Sequence, residues 1–260
     1  MNPSSKEAVC FVADFRYLYK NFTRVYKELR EKGKYKGDIL IITNLLTPAF
    51  LINKVRKKNK VYIYRFKNIK FDKTTETSLN NLNVKTNRHT EKNFQWNKLY
   101  LFHKKIKKWK FILYIDINMS IHHDINPILN IKPENRLFAR ADGYPEYIWK
   151  LSSQFDKSSK YYKKLSNNFN LDRTDYFQTG LMYFDTEIIN ESTFTEIVNL
   201  VNKYPLTITN EQGILNLYFL FINKKYEELE TFINNKLTYF YWMLDEKEVI
   251  ITKSLTEKNK

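Results

Sequence analysis

The stretch KWKFILYIDINMSIHHDINPIL, residues 108–129, decides how this chain is read. Its opening part, KFILYID (110–116), is a continuous apolar run of the kind that fills a strand buried on both faces. The run ends on Asp116-Ile117-Asn118, with no glycine or proline to make an ordinary turn. Such an ending needs a reason. In open α/β sheets ligands bind beyond the carboxyl ends of strands, so a polar residue that stops a strand there carries more weight than one elsewhere.

Working outward, the same pattern recurs. AVCFVAD (8–14) stops at Asp14, and YLYKNFTRVYKELREKGKYKG (17–37) then carries apolar residues at helical spacing until Gly33 and Gly37. DILIITN (38–44) reads as a second strand and KVYIYRF (60–66) as a third. Between them TPAFLINKVRKKN (47–59) reads as a helix with threonine at its cap and proline in its first turn. The order β-α-β-α-β predicts an α/β fold: a mixed, mostly parallel central sheet flanked by helices.

Residues 67–93 lose periodicity and predict a long surface loop or excursion, after which FQWNKLYLFHKKIKKW (94–109) returns to helical spacing. RLFARAD (136–142) and YFQTGLMYFDT (176–186) are further strands, and 191–204 and 209–226 further helices. The tail from 227 to 260 holds KLTYFYWML and EVIITKSL, which read as two short strands or as a strand laid over the core. No repeat or linker divides the chain, so residues 1–260 read as one domain, a size that buries a sizeable core.

Composition narrows the class. Apolar residues make up 43% and aromatic ones 16%, too rich for a disordered chain. The lone Cys10 has no partner for an internal disulfide, and no apolar stretch reaches the ~18 residues of a membrane span. The N-terminal MNPSSKEAVC lacks the charged-then-apolar layout of a signal peptide, so a cytoplasmic location without an integral membrane segment is expected. The net charge is +16, but lysine travels with abundant asparagine and isoleucine and is spread along the chain, with short clusters at 54–60 and 104–110. A nucleic-acid partner is therefore not expected, whereas anionic nucleotides or glycans suit the charge equally well.

Three apolar runs end in aspartate, at Asp14, Asp116 and Asp142. A single aspartate in such a place usually caps a helix or a turn. Three together predict carboxylates converging on one cleft. Period-two alternation would also put Asp116 and Asn118 on one side of an extended segment, where two oxygen-bearing side chains can hold a hard divalent cation.

These residues, with others in the same order, resemble glycosyltransferase family 8, the glycogenin-like and lipopolysaccharide galactosyltransferase-like enzymes. The similarity runs through Ala13-Asp14-Phe15-Arg16-Tyr17, Lys98 in WNKLYLF, Tyr114-Ile115-Asp116-Ile117-Asn118, Phe177-Gln178-Thr179-Gly180-Leu181 and Glu211-Gln212-Gly213-Ile214-Leu215-Asn216, over roughly residues 8–220. This chain departs from the family pattern at Asn118, Gln178 and Glu211, and the family's late histidine motif is absent.

The resemblance implies a GT-A (Rossmann-like) fold and retaining transfer of a hexose from a UDP-sugar to a glycan or glycoprotein acceptor. It implies that Asp14 and Tyr17 hold the base, that Asp116 and Asn118 bind Mn²⁺ or Mg²⁺ against the diphosphate, and that Glu211 and Gln212 face the reacting sugar. Lys98 would neutralise phosphate or hold a sugar hydroxyl, or else be an exposed lysine on a basic helix. Asp142 would contact the donor sugar or Lys98, or form a structural ion pair, and Gly180 would let backbone approach substrate closely. The family often dimerises, so a homodimer is also implied. The competing reading is a catalytically silent GT-A domain that binds nucleotide, glycan or a protein partner. His122 and His123 read as substitute metal ligands or as loop residues, and Tyr239, Tyr241 and Trp242 as an acceptor groove or as packing.

Overall fold

The computed structural model of the protein describes residues 3–85, 90–142, 149–240 and 248–253. The chain opens as its periodicity predicts, with β1 (Glu7–Val12), α1 (Phe15–Glu31), β2 (Asp38–Asn44), α2 (Ala49–Arg56) and β3 (Val61–Phe66). In α1 the spacing of Leu18, Phe22, Val25 and Leu29 makes one buried stripe. The polar stretch after β3 is not a plain loop, because it carries α3 (Lys73–Lys85). Asp72 Oδ1 accepts the Thr75 N–H at 2.7 Å to start that helix, and Thr75, Leu79 and Leu82 supply an inward stripe that the polar composition hides. The segment before the metal-type strand is helical, but as 3₁₀ turns over Thr90–Phe102 and Lys104–Lys108.

Next come β4 (Phe111–Ile115), β5 (Ser120–Ile121), α4 (Asn126–Leu129), β6 (Leu137–Ala141), α5 (Tyr162–Asn168), β7 (Phe177–Asp185), α6 (Thr193–Lys203) and α7 (Glu211–Leu217). The last strands are β8 (Tyr226–Glu228), β9 (Phe232–Ile233), β10 (Lys236–Phe240) and β11 (Val249–Thr252). The central sheet has the order β3-β2-β1-β4-β7-β6-β8, with every pairing parallel except the two made by β7. Both faces are covered. Ala8, Cys10, Leu40, Ile42, Ile112 and Tyr114 belong to one core cluster, and Val9, Phe11, Ile39, Ile41, Leu113 and Ile115 to the other. Alternate residues of each strand thus enter opposite cores, which is why these strands read as unbroken apolar runs.

One buried carboxylate ties the start of β2 to its surroundings. Asp38 is fully buried and accepts N–H groups from Ser4 at 2.8 Å, Ser5 at 3.1 Å and the Trp109 indole at 2.9 Å. A buried charge met by several donors is tolerable where an unpaired one is not.

A second, smaller sheet has the order β5-β11-β10-β9. Its β11 runs antiparallel to β5, with Thr252 opposite Ser120, so the chain's last described residues lie beside the segment that leaves β4. Among the described residues no helix is long and apolar enough to cross a membrane.

Candidate functional site

A cleft of about 230 Å³ opens past the carboxyl ends of β1 and β4. Asp14, Arg16 and Tyr17 line it from the start of α1; Lys98, Tyr114, Asp116 and Asn118 line it from the centre; Lys253 closes it from the end of β11. Because β1 and β4 are neighbours, two of the three strand-ending aspartates meet here. Asp142 does not. It follows β6, which β7 separates from β4, and it accepts the Gln178 side-chain N–H at 2.6 Å.

Asp14 does the ordinary work of a helix cap as well as facing the cleft, since its Oδ1 accepts the Tyr17 N–H at 2.8 Å. Tyr17 is half exposed. Asp116 and Asn118 both reach the cleft, but not through an extended segment. Met119 N–H donates to Asp116 O at 3.0 Å, closing a tight turn through Ile117 and Asn118, so the alternation argument for pairing them does not hold.

The centre of the site is an ion-pair cluster rather than two free oxygen ligands. Lys98 is buried, contrary to its reading as an exposed lysine, and its Nζ lies 2.6 Å from Glu211 Oε1 and 3.3 Å from Asp116 Oδ1. It also donates to Thr179 O at 3.2 Å and sits 5.2 Å from the centre of the Tyr114 ring. Burial pulls the Lys98 ammonium toward neutrality, but the carboxylates of Asp116 and Glu211 outweigh it and leave it titrating well above an ordinary lysine. Lys98 pairs with these two residues, while Asp142 turns to Gln178. Tyr114, two residues before Asp116 and on the same face of β4, donates its hydroxyl to Asp116 Oδ1. Burial, then the adjacent carboxylate, push that phenol far above the usual tyrosine range.

Glu211 and Gln212 open α7 and reach back to β7. Thr179 Oγ1 donates to Glu211 Oε1 at 3.3 Å, and Thr179 N–H donates to Gln212 Oε1 at 3.2 Å. The Gln212 amide also donates to Gln154 Oε1 at 3.0 Å, so both its polar ends are held inside the protein. Neither residue is among those lining the cleft. Glu211 keeps one buried oxygen, Oε2, without a hydrogen-bond partner among the described residues. Asn216, one turn along α7, pins the start of β7 by accepting the Phe177 N–H at 2.8 Å and donating to Phe177 O at 2.9 Å.

Gly180 is explained by packing against protein. A Cβ there would meet Met119 Cε at 2.4 Å and Tyr239 Oη at 2.7 Å, so the missing side chain makes room for those two residues. Tyr239 is buried at that contact, whereas Tyr241 and Trp242 lie outside the described residues. His122 and His123 line a separate pocket with Lys32, Lys34 and Lys236, away from Asp116. Arg16, Phe94, Gln95 and Lys253 are cleft residues to which sequence reasoning gave no role. Arg16 stood inside the quoted Ala13–Tyr17 motif, but nothing in the spacing connects Lys253 with the segment after Asp116, to which the pairing of Thr252 with Ser120 brings it.

Among the described residues the donor set at Asp116 and Asn118 does not suit a divalent metal. Such a cation takes about six oxygen ligands. Here Asp116 Oδ1 is already engaged by an ammonium and a hydroxyl, and its companion in the turn is a neutral amide. Among the described residues no group of three or more His, Cys, Asp or Glu is placed to hold a metal ion.

No protein-family model matches the sequence, and no curated protein matches it. Solved structures share its fold. The bifunctional glycosyltransferase WbbM superimposes with a TM-score of 0.59 at 16% identity, covering 97% of this chain and 46% of WbbM. The galactosyltransferase LgtC, in complex with donor and acceptor sugar analogues, gives 0.56 at 13% identity, covering 95% of this chain and 87% of LgtC. The mannosyltransferase Ktr4p from S. cerevisiae, in complex with GDP, gives 0.54 at 10% identity over 82% of this chain and 66% of Ktr4p. The fold is thus the GT-A fold of glycosyltransferases. The chain spans less than half of WbbM and just under two thirds of Ktr4p.

Proposed function

We propose that the protein is a glycosyltransferase of the family 8 type that moves a hexose from a UDP-sugar to a glycan or protein acceptor with retention of configuration. The observation that carries this reading is the convergence of Asp14 and Tyr17 with the Lys98–Asp116–Glu211 cluster at the strand ends of a GT-A sheet. Tyr17 offers an exposed ring for a nucleobase to stack on, and Asp14 an acceptor for its N–H groups. Two carboxylates around one ammonium leave the cluster net negative, which opposes the positive charge that develops on a sugar as its bond to phosphate breaks. Glu211 then acts through fixed charge and Gln212 as a positioning residue for Thr179.

The second reading, a silent domain that binds nucleotide without turnover, draws on the internal partners that occupy Gln212 and Glu211 Oε1. One experiment separates them. UDP-galactose, UDP-glucose, UDP-N-acetylglucosamine and GDP-mannose are each incubated with the protein, and nucleotide release is followed by coupled assay while NMR records the anomer formed. Release from one UDP-sugar, lost in Tyr17→Ala, is expected. Binding of nucleotide with no release from any donor would favour the silent domain, and selective use of GDP-mannose would overturn the UDP assignment.

A further inference from the structure

We propose that the face formed by α1, α2 and the turn between β2 and α2 docks on an anionic lipid bilayer, with Leu45, Leu46 and Phe50 entering its interface. Phe15, Tyr19, Leu45, Leu46 and Phe50 all stand in solvent there, Leu46 76% and Phe50 65% exposed. Single exposed hydrophobic residues are ordinary, but these five are neighbours. Phe15 and Tyr19 are one turn apart on α1, as Phe50 and Lys54 are on α2, so each pair shares a helix face. The Lys54 ammonium lies 6.0 Å from the centre of the Tyr19 ring and joins the two faces. Leu45 and Leu46 follow β2 next to the start of α1, because β1 and β2 run parallel and Ala13 N–H donates to Ile42 O at 3.0 Å. The turn that carries them is tied down. Leu45 N–H donates to Phe66 O at 3.0 Å, Arg65 donates to Leu45 O and Thr47 O, and Thr47 N–H donates to Asn44 O at 3.3 Å. Polar residues are usual in such a turn, and here two leucines are held outward on a satisfied backbone.

Charge names the occupant. Residues 39–71 carry eight lysines and arginines and no aspartate or glutamate, and α1 has no acidic residue before Glu28. The lysine cluster at 54–60, which lines no part of the cleft, belongs to this face. Lys54, Lys57 and Lys58 follow Phe50 at helical spacing, all of them exposed, and the Lys58 ammonium lies 5.5 Å from the centre of the Tyr26 ring on α1. An apolar tip backed by lysines matches a bilayer interface: the aliphatic and aromatic groups enter among the acyl chains while the long lysine stems reach anionic headgroups. A second copy of the chain fits less well. A two-fold contact would set these lysines against themselves, with no carboxylate from residues 39–71 to meet them. The bilayer would lie beside the mouth of the cleft, because Phe15 stands between Asp14 and Arg16, which line it. This docking does not depend on what the cleft binds.

The test is flotation of the whole protein with phosphatidylcholine vesicles, with and without about one third phosphatidylglycerol, alongside sedimentation velocity of the protein alone. Binding to the anionic vesicles is expected to be roughly tenfold or more tighter than to the neutral ones and to weaken as salt is raised. Leu46→Ser with Phe50→Ser should weaken it by roughly tenfold or more, the loss of two apolar side chains from the interface. Lys54→Glu with Lys57→Glu should weaken it by a similar factor. Both double variants should keep a Tm close to that of the wild type, because all four side chains are exposed. Val84→Ser removes another exposed apolar side chain, but from α3, whose Leu79 packs into the opposite core from Leu18 of α1, and should leave binding unchanged. No flotation with anionic vesicles, or equal flotation of the wild type and both double variants, would overturn the proposal. A dimer of the free protein that Leu46→Ser with Phe50→Ser dissolves would overturn it as well, giving the face to a second copy.

Discussion

Replacing Lys98 with methionine tests whether the centre of the site is an ion-pair cluster at all. The side chains of Lys98 and Glu211 are 9% and 6% exposed, and their charged atoms are 2.6 Å apart. With an effective dielectric of about 20, the gross attraction of Lys98 is ~6 kcal/mol to Glu211 and ~5 kcal/mol to Asp116 at its 3.3 Å. Desolvation of the three groups cancels much of that. Removing one partner of a buried pair, however, leaves the other charge unpaired and costs about 3–5 kcal/mol. Methionine preserves the packing on the Tyr114 ring but leaves Glu211 buried without its cation. Urea unfolding of Lys98→Met should therefore show a loss of about 3–5 kcal/mol, and adding Glu211→Gln should recover roughly half of it.

The pH dependence of the difference follows from the same geometry. The Lys98 ammonium titrates above its unfolded value, so its contribution is complete below about pH 10 and is lost only as pH rises through the elevated folded value. The gap between wild type and Lys98→Met should accordingly be flat from neutral pH to mildly alkaline pH. A loss under about 1 kcal/mol, or losses for Lys98→Met and Glu211→Gln that simply add, would refute the cluster.

Three further substitutions probe the frame that holds the site. Gly180→Ala drives a methyl group into Met119 and Tyr239 and should lower stability by about 1–3 kcal/mol, read as a fall in Tm; an unchanged Tm would mean that the packing explanation for this glycine is wrong. Asn216→Asp keeps the acceptor for Phe177 N–H but loses the donor to Phe177 O and Gln212 O, so it should destabilise by about 1–3 kcal/mol in chemical unfolding, nearly as much as Asn216→Ala. Asp38→Ala strands the Trp109 indole and two backbone N–H groups, and hydrogen exchange at Ser4 and Ser5 should accelerate along with a loss of about 2–4 kcal/mol.

Strands β1 to β4, β6 and β7 were readable to within a residue or two because both faces of the central sheet are buried, which forces unbroken apolar runs such as FILYI in β4 and DILIITN in β2, whereas the short strands β5, β8 and β9 carry too few apolar residues to show and β8 begins where a helix was expected. Helix α3 was not, since only Thr75, Leu79 and Leu82 turn inward and the remaining positions are polar. At the site, Asp14, Tyr17, Lys98, Asp116 and Asn118 were recognisable as strand-end and motif residues, and the structure brings all five to one cleft. Glu211 joins them only through Lys98. Gln212 and Gly180 fall instead on internal contacts, and Asp142 falls on Gln178.

What the sequence by itself determined was local and periodic: which segments alternate between two cores, where each apolar run stops, and which polar residue stops it. What only the tertiary structure decided was pairing across the chain. Strand order placed Asp14 with Asp116 and kept Asp142 two strands away. The antiparallel entry of β7, with Asp116 N–H donating to Gly180 O at 2.9 Å, set Thr179 beside Lys98 and α7. The pairing of β11 with β5 delivered Lys253 from more than a hundred residues away. Charge compensation is a property of distance in space, so no spacing along the chain reveals that the lysine at 98 occupies the position between two carboxylates where a cation was expected.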